Sequence, residues 1–355
     1  MTQGLIPNRR AFLAGLAAAS LPSLSWADAG SPAYLAAGKL GDDFTLHGLS
    51  RTGESLFQIA LPARGHAAAA HPTRPEAVAF ARRPGIFALV INCATGTVTH
   101  RLAPPAGHQF NGHGAFSADG SLLMTSEVVA DGSAGRIALW DARSYTRLTD
   151  WPSGGIGPHD IRRLTDGRIV VANGGIQTDP SDRTKLNIAT MRPNLTLLSA
   201  EGGMLDQIAL GPDLQQNSIR HLALSGDTIA FAMQWEGDPA VTVPLLGLWQ
   251  PGSAPRLCDA APQDALAMKG YAGSIAATDD RVLITSAKGG AAMVFGLDGA
   301  PLATHRRSDL SGAARLGDAF LLTDGLGATW TCDADKLTAL TTGATLWDNH
   351  LVALT

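Results

Sequence analysis

The chain has 355 residues and a formal net charge of −4 at pH 7, with ten histidines and three cysteines. The basic residues are scattered among acidic ones, which gives no electrostatic support for nucleic acid as a partner. The odd number of cysteines excludes a complete disulfide framework, and the absence of a Cys-x-x-Cys-His motif excludes covalently attached c-type haem.

The first predicted element is an export signal. Two arginines, Arg9 and Arg10, precede an apolar run that extends to Leu24, and small residues before and at Ala27 suit a signal peptidase. Paired arginines followed by Phe-Leu are typical of twin-arginine (Tat) export of folded proteins. The run is shorter than the roughly 20 residues of a spanning helix, which argues against an uncleaved anchor. We therefore expect a Tat-type signal peptide over residues 1–27, a periplasmic location, and no membrane contact after its removal.

The rest of the chain predicts β-strands. Short apolar runs, each closed by Gly, Asp, Asn or Pro, replace helical periodicity throughout. A four-strand unit recurs; one copy runs from His113 through the Asp119-Gly120 hairpin to an outer strand that ends at Trp151. The seven inner strands are predicted to begin near His66, His113, His159, His221, Ser274, Gly312 and His350. Most intervals suit a blade of about 40–50 residues, and the two long ones indicate insertions, at 174–196 and 236–243.

The two ends of the chain predict how the ring closes. Residues 349–354 form one inner strand with no room for the rest of its blade, and residues 33–37, 45–49 and 56–61 supply the three missing strands. Sharing a blade between the ends removes the open sheet edge. We therefore predict an all-β, seven-bladed β-propeller, formed by one domain over residues 28–355 and monomeric.

The chain resembles an uncharacterised family of bacterial Tat-exported proteins that have a domain of unknown function with a YVTN-type seven-bladed propeller. The matching segments are 81–85, 112–120, 155–159, 171–176, 185–193 and 218–222. The family is often encoded beside imelysin-type iron-uptake proteins and di-haem oxidase-like proteins. The resemblance implies a role in periplasmic iron homeostasis with those iron-uptake proteins as partners, and it carries over no catalytic residue.

Five of the ten histidines stand at the predicted starts of inner strands, where a propeller brings distant residues to one mouth of its channel. They are His66, His113, His159, His221 and His350. Imidazole is a preferred ligand of zinc, copper, iron and nickel. We predict a ligand site at this mouth, with His113, His159 and His221 as metal ligands and iron or copper as the metal. Asp160 is an expected ligand or orienting group, and Arg220 an expected contact of an anionic ligand.

Structural alternatives remain open for both sets of residues. A Gly-His dipeptide, as at His66 and His113, is also typical of a ring that bonds a turn aspartate within its own blade. Eight basic residues concentrate in the same blades and in the first insertion, and they are equally consistent with ion pairs between blades. The eight are Arg82, Arg83, Arg162, Arg163, Arg183, Lys185, Arg192 and Arg220.

Three functions are compatible with the sequence. The first is a non-enzymatic binding or scaffold protein in iron or other metal homeostasis, with its ligand at the histidine-rich mouth. The second is a metal-dependent, redox enzyme that uses the same histidines, and the third is an interaction platform whose histidines are all structural. The sequence contains no nucleophile elbow and no nucleotide-binding fingerprint, so neither a Ser-His-Asp hydrolase nor a nucleotide cofactor is expected.

Overall fold

The computed structural model describes residues 24–82, 85 and 87–354. In this part of the chain the strands form seven antiparallel four-stranded sheets. The strands of the first half are β1 (Tyr34–Leu40), β2 (Asp43–Leu49), β3 (Ser55–Leu61), β4 (Gly65–Ala70), β5 (Glu76–Ala81), β6 (Ala88–Asn92), β7 (Thr97–Leu102), β8 (His108–Phe116), β9 (Leu122–Val129), β10 (Ala134–Asp141), β11 (Arg147–Ile156), β12 (Pro158–Arg163), β13 (Ile169–Asn173), β14 (Asn194–Leu198) and β15 (Met204–Ala209).

The second half continues the same pattern with little helix. Its strands are β16 (Asn217–Ser225), β17 (Thr228–Trp235), β18 (Leu246–Trp249), β19 (Arg256–Cys258), β20 (Ser274–Ala277), β21 (Arg281–Ser286), β22 (Ala291–Gly296), β23 (Pro301–Arg306), β24 (Leu310–Leu316), β25 (Ala319–Asp324), β26 (Ala328–Cys332), β27 (Leu337–Thr342) and β28 (Thr345–Ala353). Short helices are the α-helix α1 (Pro262–Ala267) and the 3-10 turns Trp26–Ala29, Ile188–Thr190 and Pro212–Leu214.

The seven sheets are the blades of a β-propeller. Blades I to VI are β4–β7, β8–β11, β12–β15, β16–β19, β20–β23 and β24–β27, and blade VII is β28-β1-β2-β3. The first strand of each blade contacts the first strand of the next, from β4 around to β28 and back to β4. The predicted fold and the shared blade are therefore confirmed, since β28 pairs with β1 and closes the ring.

Both predicted insertions lie on one face of the ring. The first connects β13 to β14 and the second connects β17 to β18, so both are loops between the second and third strands of a blade. In an antiparallel blade this loop lies at the end where the inner strand begins. We call this side of the propeller the insertion face.

The hydrophobic core consists of layers between neighbouring blades. Between blades IV and V, for example, Met268, Ile284 and Phe295 pack against residues of β16 to β18. Cys93, Cys258 and Cys332 are free and buried within such layers. Burial raises the pKa of these thiols to about 12, 11 and 12, respectively. They therefore behave as small apolar side chains.

The predicted signal peptide lies mostly outside the described residues, which begin at Leu24. Within the described part, Trp26 packs against the apolar layer between blades VII and I, and its indole Nε1 donates a hydrogen bond to the carbonyl oxygen of His71 at 2.9 Å. None of the described helices has the length and apolar character to cross a bilayer.

Candidate functional site

Bulges in the inner strands place the histidines in the channel. The pairing of inner and second strands shifts register between Gly65 and Ala68, between Phe110 and Gly114, and between Pro158 and Ile161. His66, His113 and His159 lie in these three bulges, and the others lie at equivalent irregularities of β28 and β16. A bulge redirects a side chain that would otherwise point between two blades.

The five imidazole rings form one cluster, which we call the histidine cluster. Around it, the ring centroids are separated by 5.0 Å (His66–His113), 4.6 Å (His113–His159), 4.6 Å (His159–His221), 4.7 Å (His221–His350) and 4.4 Å (His350–His66). His113 is central, because its ring also lies 5.7 Å from that of His221 and 4.9 Å from that of His350. The propeller thus brings together all five histidines selected from the sequence.

The ring nitrogens approach one another closely enough to share an ion. Nε2 of His66 lies 3.2 Å from Nε2 of His113 and 3.3 Å from Nε2 of His350. These three residues form one group in which one ligand nitrogen from each lies within 4.8 Å of the others, and His113, His159 and His221 form a second such group. His113 belongs to both groups.

The cluster lies inside the channel and not at an open rim. Four of the rings are only 4–7 % exposed: those of His113, His159, His221 and His350. His113, His221 and His350 lie in the middle of their strands and not at the strand ends. Burial lowers the pKa of four of the rings well below its usual value, and the neighbouring imidazoles lower it further; the four are His66, His159, His221 and His350. These rings are neutral at pH 7, and neutral imidazole is the form that binds metals.

Two buried nitrogens of the cluster have no hydrogen-bond partner among the described residues. They are Nδ1 of His66 and Nδ1 of His159. A buried polar atom without a partner carries a free-energy cost of about 1–3 kcal/mol. These unpartnered nitrogens, on neutral rings, are available to bind a ligand.

Asp160 supports the cluster from the third blade. Its carboxylate is 3 % exposed and accepts backbone hydrogen bonds from Ile161 and Leu222, both at 2.9 Å. Its Oδ1 also lies 3.6 Å from Nδ1 of His113. Burial opposes the charge, but the Arg162 guanidinium and His113 hold the pKa of Asp160 below its usual value. A buried carboxylate therefore faces the central ring of the cluster.

The structure also tests the alternative in which the histidine rings are bonded inside their own blades. The His66 ring lies against the rings of His113 and His350 in the two neighbouring blades, and the carboxylate near His113 belongs to blade III rather than to blade II. His71 is the residue that bonds a turn, through Nε2 to the carbonyl oxygen of Gly120 at 3.0 Å. The five channel histidines are thus arranged differently from a structural Gly-His pair.

The basic residues selected from the sequence do not form one patch. Arg162 pairs with Asp160 at 3.2 Å, Arg82 with Asp348 at 3.7 Å, and Lys185 with Glu236. Arg83 lies outside the described residues, and in the described part neither Arg163 nor Arg192 makes an ion pair. Ion pairs between blades therefore account for Arg82 and Lys185, whereas Arg162 pairs within its own strand. Arg220 lies 3.9 Å from Glu236 Oε1, and Arg183 makes no ion pair among the described residues.

Several polar groups near the cluster were not among the residues selected from the sequence. Tyr271 and Asn349 meet on the insertion face, where Asn349 Nδ2 donates a hydrogen bond to the Tyr271 hydroxyl at 2.8 Å. Arg64 Nε donates to Asp348 Oδ2 at 2.5 Å. Arg64, Asp348 and Asn349 come just before His66 or His350 in the sequence, and this position could have identified them. Tyr271 lies outside the repeats, so no pattern in the sequence identified it.

Comparisons with known proteins agree with this architecture. A family model described as a protein of unknown function (DUF1513) matches residues 59–354. No curated protein matches the chain. Among solved structures with a similar fold, U3-55K matches with a TM-score of 0.58 and 15% identity, over 79% of this chain and 82% of that chain. Kuenenia stuttgartiensis hydrazine synthase matches with a TM-score of 0.60 and 11% identity, over 86% of this chain and 90% of that chain. The WD40 repeats of RRP9 are similar at a TM-score of 0.58 and 16% identity, over 79% and 81%. At these identities the likeness concerns the fold alone.

Proposed function

The chain belongs to the DUF1513 family of proteins of unknown function, and we propose from the geometry of its own residues that it is a periplasmic metal-binding propeller. It holds one first-row transition-metal ion in the histidine cluster. The observation that carries this proposal is the pair of three-histidine groups that share His113, each with its ligand nitrogens within 4.8 Å. A metal site requires several ligand nitrogens close to one point, and the five blades supply them here.

The donor set indicates the class of metal. Neutral imidazoles suit zinc, copper, iron and nickel, whereas calcium and magnesium prefer oxygen ligands. Asp160 strengthens metal binding through His113, because a carboxylate near Nδ1 of that ring makes the ring a stronger ligand. The resemblance to proteins encoded beside iron-uptake genes favours iron as the physiological metal.

Metal titration tests the proposal directly. The metal-free protein should bind about one equivalent of Cu(II), Zn(II) or, without oxygen, Fe(II), and binding should raise its Tm in proportion to the logarithm of free metal. Copper should give absorption and electron paramagnetic resonance spectra typical of nitrogen ligands. His100→Ala is the matched control, since His100 is an exposed histidine on β7. Binding that His100→Ala weakens, or no binding of any of the three ions, would contradict the proposal.

A glycine next to the cluster allows a second test. Gly112 has φ +95° and lies so close to His66 that an added Cβ would come 2.7 Å from the ring carbon Cδ2. If the ion lies in the group of His66, His113 and His350, Gly112→Ala should displace the His66 ring and weaken metal binding by roughly tenfold. Gly132→Ala is the control, because Gly132 has φ +78° with nothing within 4 Å, so it carries a similar backbone strain. Equal metal affinity in the two variants, measured by competition titration, would show that His66 takes no part in binding.

A further inference from the structure

Outside the histidine cluster, the strongest candidate for a second binding site is a buried arginine. Arg220 is 4 % exposed and lies in the bulge of β16, directly before His221. Its guanidinium makes no hydrogen bond to any described residue, and its Nε is buried without a partner. Five N–H donors on a permanent charge are therefore left with no protein acceptor.

The nearest carboxylate does not neutralise this arginine. Glu236 Oε1 lies 3.9 Å from Nη2 of Arg220, beyond hydrogen-bond distance, and its other oxygen is bound by Lys185. The one carboxylate near this buried charge is beyond hydrogen-bond distance and is shared with Lys185, so the charge is incompletely compensated and destabilising. Burial accordingly lowers the pKa of Arg220. An acceptor from outside the chain would offset this cost.

The surroundings of Arg220 are suited to an oxyanion. Its Nη1 lies 3.5 Å from the position that a Cβ on Gly174 would occupy, beside the Ser218 hydroxyl, which donates a hydrogen bond to the Gly174 carbonyl oxygen at 2.7 Å. Tyr271 lies near it, and the charges on Arg82 and Arg220 both oppose the rise that burial causes in the pKa of the Tyr271 hydroxyl. The Tyr271 hydroxyl therefore lies near enough to Arg220 for the charge of the guanidinium to affect its pKa.

Further positive charge stands at the same opening. Arg183, at the tip of the first insertion, has its pKa lowered by burial and by the charges on Arg82 and Arg64. Only Asp348 pairs with Arg64 and Arg82, and Arg183 makes no ion pair within the described part of the chain. Arg183 therefore adds a positive charge near Arg64 and Arg82 that no described carboxylate pairs with.

We propose that Arg220 is the base of a binding site for a small oxyanion on the insertion face, with Tyr271 and Arg183 as further contacts. The ligand carries carboxylate or phosphate oxygens, which the guanidinium binds through two parallel hydrogen bonds. The site lies next to His221, so a bound oxyanion stands at the entrance to the histidine cluster. This inference goes beyond the metal site, because it requires no metal ion.

The test uses metal-free, full-length protein with two probes, citrate and inorganic phosphate, in calorimetric and thermal-shift titrations. At least one probe should bind and raise Tm with increasing concentration. The Arg220→Met variant should bind that probe at least about tenfold more weakly. Arg256→Met is the matched control, since Arg256 is an exposed arginine on β19, and it should bind as the wild type does. Preference for citrate or for phosphate identifies the kind of oxyanion.

Stability separates binding from a structural role. Without ligand, Arg220→Met should keep or raise Tm, because it replaces an uncompensated buried charge by an apolar side chain of similar length. A lower Tm of this variant would mean that the contact with Glu236 is structural, and it would overturn the inference. Failure of both probes to bind the wild-type protein would overturn it as well, whatever the metal titrations show.

Discussion

His113→Ala should lower the affinity for Cu(II) by more than about 100-fold, the largest loss of any single histidine substitution in this protein. The reason is that His113 is the one residue shared by both three-histidine groups. Its loss leaves two candidate ligands in each group, and it also removes the ring that faces Asp160. Affinity is measured by competition with a chelator of known strength, and the spectrum of bound copper reports the number of nitrogen ligands.

Comparison with neighbouring variants shows which group holds the ion. His66→Ala removes a ligand of the first group only, and His159→Ala removes a ligand of the second group only. One of the two should therefore approach the effect of His113→Ala while the other stays close to wild type. If all three variants bind copper as tightly as the wild type, the cluster is not the metal site.

The same variants distinguish a binding role from a packing role. Removing one ring leaves a cavity, but that cavity is lined by the polar nitrogens of the other rings and can hold water, so it is less costly than an apolar cavity in the core. We expect Tm of metal-free His113→Ala to remain close to that of metal-free wild type. A large fall in Tm without a change in copper affinity would support the interpretation in which the histidines only maintain the fold.

Asp324→Ala should lower the free energy of unfolding by about 3–5 kcal/mol, because it breaks a buried charge network. The Asp324 side chain is fully buried. Oδ1 accepts backbone hydrogen bonds from Leu326 at 3.0 Å and Ala328 at 2.8 Å. Oδ2 accepts from Arg307 Nε at 2.9 Å and Trp330 Nε1 at 3.0 Å. Alanine leaves all four donors without this acceptor.

An exposed aspartate provides the matched control for this prediction. Asp279 also pairs with an arginine, since both of its oxygens accept hydrogen bonds from Arg315 at 2.6 and 2.7 Å. That pair is open to solvent, so water and salt screen it. Asp279→Ala should leave the denaturant midpoint almost unchanged. Similar midpoints for the two variants would show that blade VI does not depend on its buried carboxylate.

Much of the fold could be predicted because a propeller is a local pattern repeated. Period-two strands and Asp-Gly hairpins depend on neighbouring residues, and they located the blades, both insertions and the closing strand β28. Once the fold is a ring, equivalent inner-strand positions must converge. That symmetry predicted that His66, His113, His159, His221 and His350 lie close together, and the bulges of the inner strands turn their rings into the channel.

The sequence alone therefore determined the architecture and the membership of the histidine cluster. Only the tertiary structure decided that His113 is the central ring, that Asp160 reaches it from the next blade, and that Arg220 lacks an acceptor. These properties depend on the direction in which each bulge turns a side chain and on which residues of other blades that side chain then meets. Both arise from contacts between residues far apart in the chain, so no local pattern encodes them.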